Sequence, residues 1–265
     1  MAKGVVYTIV FCSFACFASP NKKPPVSVSS SQATAYANAS IAAMTGGITV
    51  TDATLTGSAT WTAGSDIENG TATFLASGTG ESRMDLALSN GTHTEIRDAS
   101  TSTAEGKWIA QTTISGSFAH HNCLTDAVWF FPVLGSLAGG SNVVFSYVGQ
   151  ETLNGSAVQH IQSYINLPVQ PPASGPTLQQ LSTMDFYLDA TTFLPAAVAF
   201  NVHPDTNAAS NIPVQIAFSS YQNIGGVIVP THIQKYLQGT LQIDITISSA
   251  TFNTGIALSN FSVQQ

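Results

Sequence analysis

Residues 184–202 read Met184-Asp185-Phe186-Tyr187-Leu188-Asp189-Ala190-Thr191-Thr192-Phe193-Leu194-Pro195-Ala196-Ala197-Val198-Ala199-Phe200-Asn201-Val202. Met184, Phe186 and Leu188 fall on alternate positions, and so do Ala196, Val198, Phe200 and Val202. The habit recurs in Ile212, Val214, Ile216 and Phe218, and again in Leu241, Ile243, Ile245 and Ile247. Successive side chains of a strand point to opposite faces, so a period of two over several neighbouring segments means one sheet with a continuous apolar face. Polar or small residues fill the intervening positions, which leaves the other face to water.

Working towards the N-terminus, Ala53, Leu55, Gly57, Ala59 and Trp61 alternate with Thr54, Thr56, Ser58 and Thr60. Segments 70–77, 82–89, 92–98 and 107–114 follow at short spacing, and Asn90-Gly91 between two of them marks a hairpin because both residues tolerate positive φ. Strands are also expected at 143–152 and 156–166. An Ala-rich stretch from Gln32 to Met44, stopped by Gly46-Gly47, predicts one helix with Tyr36, Ile41 and Met44 on a shared face. Between Phe118 and Gly140 the alternation stops, and Thr125 is placed to cap a short helix kinked by Pro132. A Pro-rich loop at 168–176 and a turn of helix at 177–182 complete the pass. The expected fold is mainly β, in the α+β sense: a strongly curved antiparallel sheet, or incomplete β-barrel, with a few helices closing its concave side. A β-sandwich is the alternative, and the interleaved helices favour the curved sheet.

The chain has 265 residues, 44% of them hydrophobic and 8% charged, enough to bury a core. Lys3, Lys22 and Lys23 belong to the N-terminal region, which leaves Arg83, Arg97, Lys107 and Lys235 against 14 acids in the body. Four dispersed cations do not track a phosphate backbone, so nucleic acid is excluded as an expected partner. Residues 1–18 read as a signal peptide, with Lys3 followed by an apolar run from Val5 to Phe17 and small residues Ala18 and Ser19 at the cleavage point. Residues 19–31, rich in Pro and Ser, read as a flexible linker, and 32–265 as a single domain. The implied location is periplasmic or secreted. Lipoprotein anchoring at Cys16 is the lesser alternative, since Ser13-Phe14-Ala15 departs from the Leu-small-small pattern before a lipidated cysteine. Once the signal is removed Cys123 stands alone, so no intrachain disulfide is expected.

Reaction chemistry is hard to find. Gly116-Ser117 and Gly135-Ser136 do not build a Gly-x-Ser-x-Gly elbow, and the Gly residues punctuate strands without forming a phosphate loop. Cys123 lies near His120, His121 and Asp126, which admits a nucleophile or metal reading, but a loop with a small buried thiol accounts for the same residues. His203-Pro204-Asp205 reads as a turn fixed by a hydrogen-bonding histidine. No catalytic residue, metal site or cofactor is therefore expected. Trp129, Phe130, Phe131, Leu134 and Leu137 make the densest apolar cluster, read either as a core helix or as a wall over a lipid-sized cavity. Arg83, between Glu81 and Asp85, reads as one half of a surface ion pair or, alternatively, as a donor into the lumen.

Three motifs carry a resemblance. Leu188-Asp189-Ala190-Thr191-Thr192-Phe193-Leu194-Pro195, then Phe218-Ser219-Ser220-Tyr221 leading to Gly226-Val227-Ile228-Val229-Pro230, then Asn253-Thr254-Gly255 with Asn260-Phe261 resemble the superfamily of LolA/LolB-like lipoprotein carriers. The likeness spans roughly residues 183–263, with a looser match in the same order before it. It implies an incomplete barrel whose helices close an apolar cavity for acyl chains, with Arg83 as a counterpart of the arginine that latches the carrier's lid. The function it implies is non-catalytic binding of a lipid, acyl chain or acylated protein by a monomer of the cell envelope, with an envelope protein as a further partner. The alternative is a structural or interaction domain with a packed interior. A dry void of ~300 Å³ would cost about 7 kcal/mol at ~24 cal/mol per Å³, close to a whole domain's stability. Such a cavity must be filled, wetted or collapsed onto its cover.

Overall fold

The computed structural model describes residues 29–100, 104–111, 114–125, 142–166 and 177–264. They form one 13-stranded sheet in which every neighbouring pair is antiparallel. The strands are β1 (Asp52–Ala63), β2 (Asp66–Ser77), β3 (Ser82–Leu88), β4 (Gly91–Asp98), β5 (Glu105–Ala110), β6 (Ile114–Phe118) and β7 (Val143–Leu153). They continue with β8 (Ser156–Ile165), β9 (Met184–Asp189), β10 (Pro195–Val202), β11 (Ile212–Ile224), β12 (Val227–Leu237) and β13 (Thr240–Phe252). Their spatial order is β6-β5-β4-β3-β2-β1-β13-β12-β11-β10-β9-β8-β7. Each half of the chain is a simple meander, and the first strand joins the last through β1–β13 pairing, from Ala53 opposite Phe252 to Trp61 opposite Ile243. The order is that of an up-and-down barrel left open between β6 and β7.

Curvature has a covalent cause in two glycines. A Cβ on Gly70 would lie 1.8 Å from the Ala87 carbonyl oxygen, and one on Gly57 2.1 Å from that of Thr246. Glycine alone allows the neighbouring strand so close. At Gly57 the β1–β13 register also slips, a bulge of the kind that bends a sheet. Gly57 and Gly70 sit diagonally on β1 and β2, since Gly57 faces Ala72 and Ala59 faces Gly70.

The inner face carries the alternating residues read from the sequence. Leu55, Phe74, Met84 and Leu86 line one arm, and Phe186, Phe200, Ile216, Ile233 and Ile245 the other, all nearly fully buried in one cluster. Helix α1 (Ser31–Thr45) packs against this face through Ala33, Ala37 and Met44, with Tyr36 and Ile41 at the flanks. Its small residues let the helix axis approach the strands. Ser30 Oγ accepts from the Ala33 N–H at 3.0 Å to cap its start, and Gly46, at φ 58°, ends it. Helix α2 (Leu178–Ser182) is capped by Thr177.

Three details differ from the sequence reading. The segment 107–114 is not one strand: Gln111 adopts φ 52° and turns the chain from β5 into β6. The β3–β4 hairpin has Ser89-Asn90 as its loop, because Leu88 pairs with Gly91, which itself carries the positive φ of 131°. Strand β12 does not read as an alternating run, because Thr231 and Lys235 stand in the inner phase and Pro230 lies within it, although Val227, Val229 and Ile233 are all inner-face residues. The curved-sheet expectation holds, and the sandwich does not.

The motifs that carried the resemblance fix turns. Asp189 Oδ1 accepts from the Thr191 and Thr192 N–H groups at 3.0 and 2.7 Å, and Phe193 takes φ 59° to complete the β9–β10 hairpin. Those N–H donors hold the Asp189 carboxyl below its usual range against the effect of burial. Tyr221 donates to the Pro195 carbonyl at 2.6 Å, tying β11 to the same hairpin, and burial pushes its phenol upward. Asn253, at φ 57°, accepts from the Thr51 N–H at 2.8 Å where β1 and β13 meet.

Candidate functional site

The interior of the curved sheet is the candidate site, and its polar residues show how far the sheet curls. Lys235 on β12 is in phase with Val227, Val229 and Ile233, and its register partners are Ile216 and Ile243. Glu95 on β4 lies opposite Met84, so it too faces inward. Lys235 Nζ and Glu95 Oε2 are 3.7 Å apart. Five strand steps separate β12 from β4, about 24 Å along a flat sheet at ~4.8 Å per strand, further than two side chains reach towards each other. The two arms must therefore face one another.

A second connection closes the rim. The 3-10 turn Asn122–Leu124 follows β6, and adjacent residues of it reach opposite arms. Arg97 on β4 donates through Nε to the Cys123 carbonyl at 2.7 Å and through Nη1 to the Gly80 carbonyl. Asn122 exchanges two hydrogen bonds with the main chain of His203, just after β10: Nδ2 donates to its carbonyl and Oδ1 accepts from its N–H, each at 2.8 Å. Strands β4 and β10 are seven steps apart, about 34 Å at ~4.8 Å per strand, yet one dipeptide bridges them. Burial pulls the Arg97 guanidinium below its ordinary pKa, with the thiol of Cys123 and the carboxylate of Glu81 opposing the shift. Cys123 packs its buried thiol over Gly106, where an added Cβ would lie 2.9 Å from Sγ.

The histidines near that turn point at main chain. His120 Nδ1 lies 3.3 Å from the Ala104 carbonyl and His121 Nε2 3.4 Å from that of His203, while His203 Nδ1 meets the Ser210 carbonyl at 2.9 Å and fixes the loop before β11. Among the described residues, no group of three His, Cys, Asp or Glu side chains converges as a metal site. The neighbouring acid, Asp126, lies outside the described residues.

The outer face holds two polar ladders built alike. Across β7, β8 and β9, His160 donates through Nδ1 to Glu151 at 2.7 Å and through Nε2 to Asp185 at 2.9 Å, and Gln162 donates to Asp185 at 2.8 Å, with the Tyr187 ring 4.5 Å from the imidazole. Burial alone would lower the His160 pKa, but the hydrogen bonds and charges of Asp185 and Glu151 outweigh it and hold the imidazole above its ordinary value. On β12 and β13, His232 meets Asp244 at 2.9 Å and Ser219 at 3.2 Å, and Gln234 donates to Asp244 at 2.6 Å. Ser219, His232 and Asp244 thus form a hydrogen-bonded row across three adjacent strands. It stands on the solvent-facing side of the sheet and is a cross-strand ladder of the kind that stabilises sheets.

Arg83 belongs to the outer face as well. Its Nε and Nη2 fork onto Asp85 at 2.7 and 3.0 Å, and Nη1 reaches the Asn260 carbonyl at 3.3 Å, holding the C-terminal 3-10 turn Leu258–Phe261 on the outside of β3 and β4. Met84, its neighbour, points inward, so the lumen-facing role expected of Arg83 does not fit this placement; the surface ion pair does. Trp129, Phe130, Phe131, Leu134 and Leu137 lie outside the described residues, as does the signal region 1–18. Sequence reasoning missed Lys235, Glu95, Arg97 and Asn122. The available signal for Lys235 was its phase: a cation on the same alternate positions as Val227, Val229 and Ile233.

No family model matches the chain, and no curated protein matches it. Solved structures do share the fold. An outer membrane lipoprotein-sorting protein domain from Vibrio parahaemolyticus superposes with a TM-score of 0.57 at 10% identity, covering 87% of this chain and 96% of that one. A DUF1329-family protein from Desulfovibrio piger gives 0.55 at 9% identity, over 87% and 97% of the two chains. A LolA-superfamily protein from Nitrosomonas europaea gives 0.51 at 8% identity, again over 87% and 97%. The fold of this chain is that of the LolA-like structures.

Proposed function

We propose that the protein is an exported, non-catalytic carrier or sensor that holds an acyl chain of a lipid or acylated protein inside the curved sheet, in a bacterial envelope. The observation that carries this reading is the broad apolar inner face, from Leu55 and Phe74 to Ile216 and Ile245, on two arms that face each other. An apolar interior suits the methylene chain of a lipid, at ~0.8 kcal/mol for each CH₂ removed from water. The LolA-like fold and the names borne by its structural neighbours support the same reading. The closed state is consistent with it: the inner residues are buried, as the cost of an empty void requires. We assign the cover of this interior to the apolar cluster Trp129, Phe130, Phe131, Leu134 and Leu137, from its sequence alone.

Solvent extraction and mass spectrometry of the mature protein from a native envelope fraction test the proposal, together with uptake of a fluorescent fatty acid. A stoichiometric lipid, and uptake lost in Phe131→Asp with the β-rich spectrum retained, is the expected result. The same burial that fits a closed carrier also fits a second reading, an interaction domain with a permanently packed interior. A clean apo protein that takes up no probe would replace the first reading by the second.

A further inference from the structure

The sheet is left open, and β7 is one of its two edges. The start of that edge already takes a chain: the Ser30 N–H donates to the Phe145 carbonyl at 2.8 Å, and the Phe145 N–H to Ser29 Oγ at 3.1 Å. Beyond a bulge between Tyr147 and Gly149, residues 149–153 keep an unbroken register with β8, from His160 to Ser156. Among the described residues, no chain pairs with their other side. That stretch is about 17 Å of strand at ~3.4 Å per residue, enough for an ordinary strand partner. Exposed edges are commonly blunted by lysine or proline, and Gly149-Gln150-Glu151-Thr152-Leu153 contains neither.

This edge is held stiff and it is acidic. On the outer side Glu151 is tied through His160 to Asp185 of β9, and on the inner side Tyr147 donates to Gln159 at 2.7 Å. The turn Asn154-Gly155, at φ 50° and 84°, closes the hairpin tightly. A strand fixed in this way loses little freedom when a partner joins it. From Trp108 to Gln234 the sequence holds five acids and no lysine or arginine, so a cation on this arm must come from elsewhere. The Glu151 side chain is 42% exposed, and its carboxylate meets water as well as His160.

We propose that residues 149–153 of β7 are a docking strand for a protein partner, which adds an extended, lysine- or arginine-bearing segment to the sheet with Glu151 as its charge contact. Main-chain hydrogen bonds supply the affinity and Glu151 the selectivity. The inference goes beyond the carrier reading and holds whatever fills the interior. A second copy of the chain fits the edge poorly, because it would set Glu151 against an equally acidic strand. The chain's own segment before Ser29 is basic at Lys22 and Lys23, but Pro24 and Pro25 have no N–H to give to a ladder.

The test titrates the mature protein with a synthetic Lys-Val-Lys-Val-Lys-Val-Lys peptide, its Glu-for-Lys counterpart, and two forms of the basic peptide N-methylated on alternate residues. At low salt the basic peptide should bind about tenfold or more tightly than the acidic one. One methylated form should bind and the other fail, since only one set of N–H groups faces β7. Amide exchange should slow within 149–153 and stay unchanged in β6. Glu151→Gln, which keeps an acceptor for His160, should weaken the basic peptide several-fold with the β-rich spectrum retained. Equal binding of basic and acidic peptides, binding that survives both methylation patterns, or slowed exchange at β6 instead of β7 would overturn the assignment. So would exchange at 149–153 that slows with protein concentration alone, the mark of a second copy, or peptide binding that appears only after deletion of residues 19–28, the mark of the chain's own segment.

Discussion

Replacing Asn122 by Ala tests whether one side chain holds the two arms of the sheet together. Asn122 makes two buried 2.8 Å hydrogen bonds to the main chain of His203, while the next residue's carbonyl takes Arg97 from the opposite arm. Truncation loses both bonds and strips the His203 N–H of its acceptor. The His203 carbonyl keeps a long contact from His121 at 3.4 Å. An abandoned buried donor costs ~1–3 kcal/mol and the second bond contributes ~1, so the expected loss is about 2–4 kcal/mol. Urea unfolding measures it, with Asn207→Ala as the control, because Asn207 makes comparable contacts to Ser210 and Ala209 in an exposed loop. The control should cost about 1 kcal/mol or less. Asn122→Asp separates the two bonds, keeping the acceptor for the N–H and placing a carboxylate against the carbonyl. Amide exchange should then rise at the ends of β4 and β10 together, since both lean on the same turn. An Asn122→Ala loss no larger than that of the control, or exchange confined to one arm, would refute the idea that this turn clasps the sheet.

Two further perturbations address curvature and charge. Gly70→Ala places a Cβ 1.8 Å from a main-chain oxygen and should cost about 3 kcal/mol or more. Gly64→Ala, with φ 64° and open space around the site, should cost only the ~1–2 kcal/mol of a left-handed residue; equal melting temperatures for the two variants would count against glycine-enforced bending. His160 has a raised folded pKa, so its contribution to stability is complete below its ordinary value of ~6.5 and is lost as pH rises through the higher folded value. The native protein should therefore lose stability over that window, and His160→Gln should flatten the dependence measured by denaturation at a series of pH values.

Local patterns in the chain carried the element list and its facing. Alternation at Met184, Phe186 and Leu188, or at Ala53, Leu55 and Ala59, assigns each side chain to a face without knowledge of its neighbours, because the period belongs to the strand itself. The caps at Ser30 and Thr177, the stop at Gly46 and the Asp189 turn are equally local, each a side chain or a glycine answering main-chain groups within a few residues. Where a local signal was broken, reading faltered: Pro230, Thr231 and Lys235 hid β12, and the turn at Gln111 has no glycine to announce it. The pairing of β1 with β13, the meeting of Lys235 with Glu95, and the clasp of Asn122 on His203 depend on how the sheet curls over its whole width. Curling sums small twists and two glycine contacts over many strands, so no short window of sequence contains it. The same holds for Arg83, whose partners Asp85 and Asn260 lie 2 and 177 residues away; the first is legible from the strand, and the second only from the folded chain. The chain by itself thus determines which residues face inward, and the tertiary structure alone decides which of those residues meet across the interior.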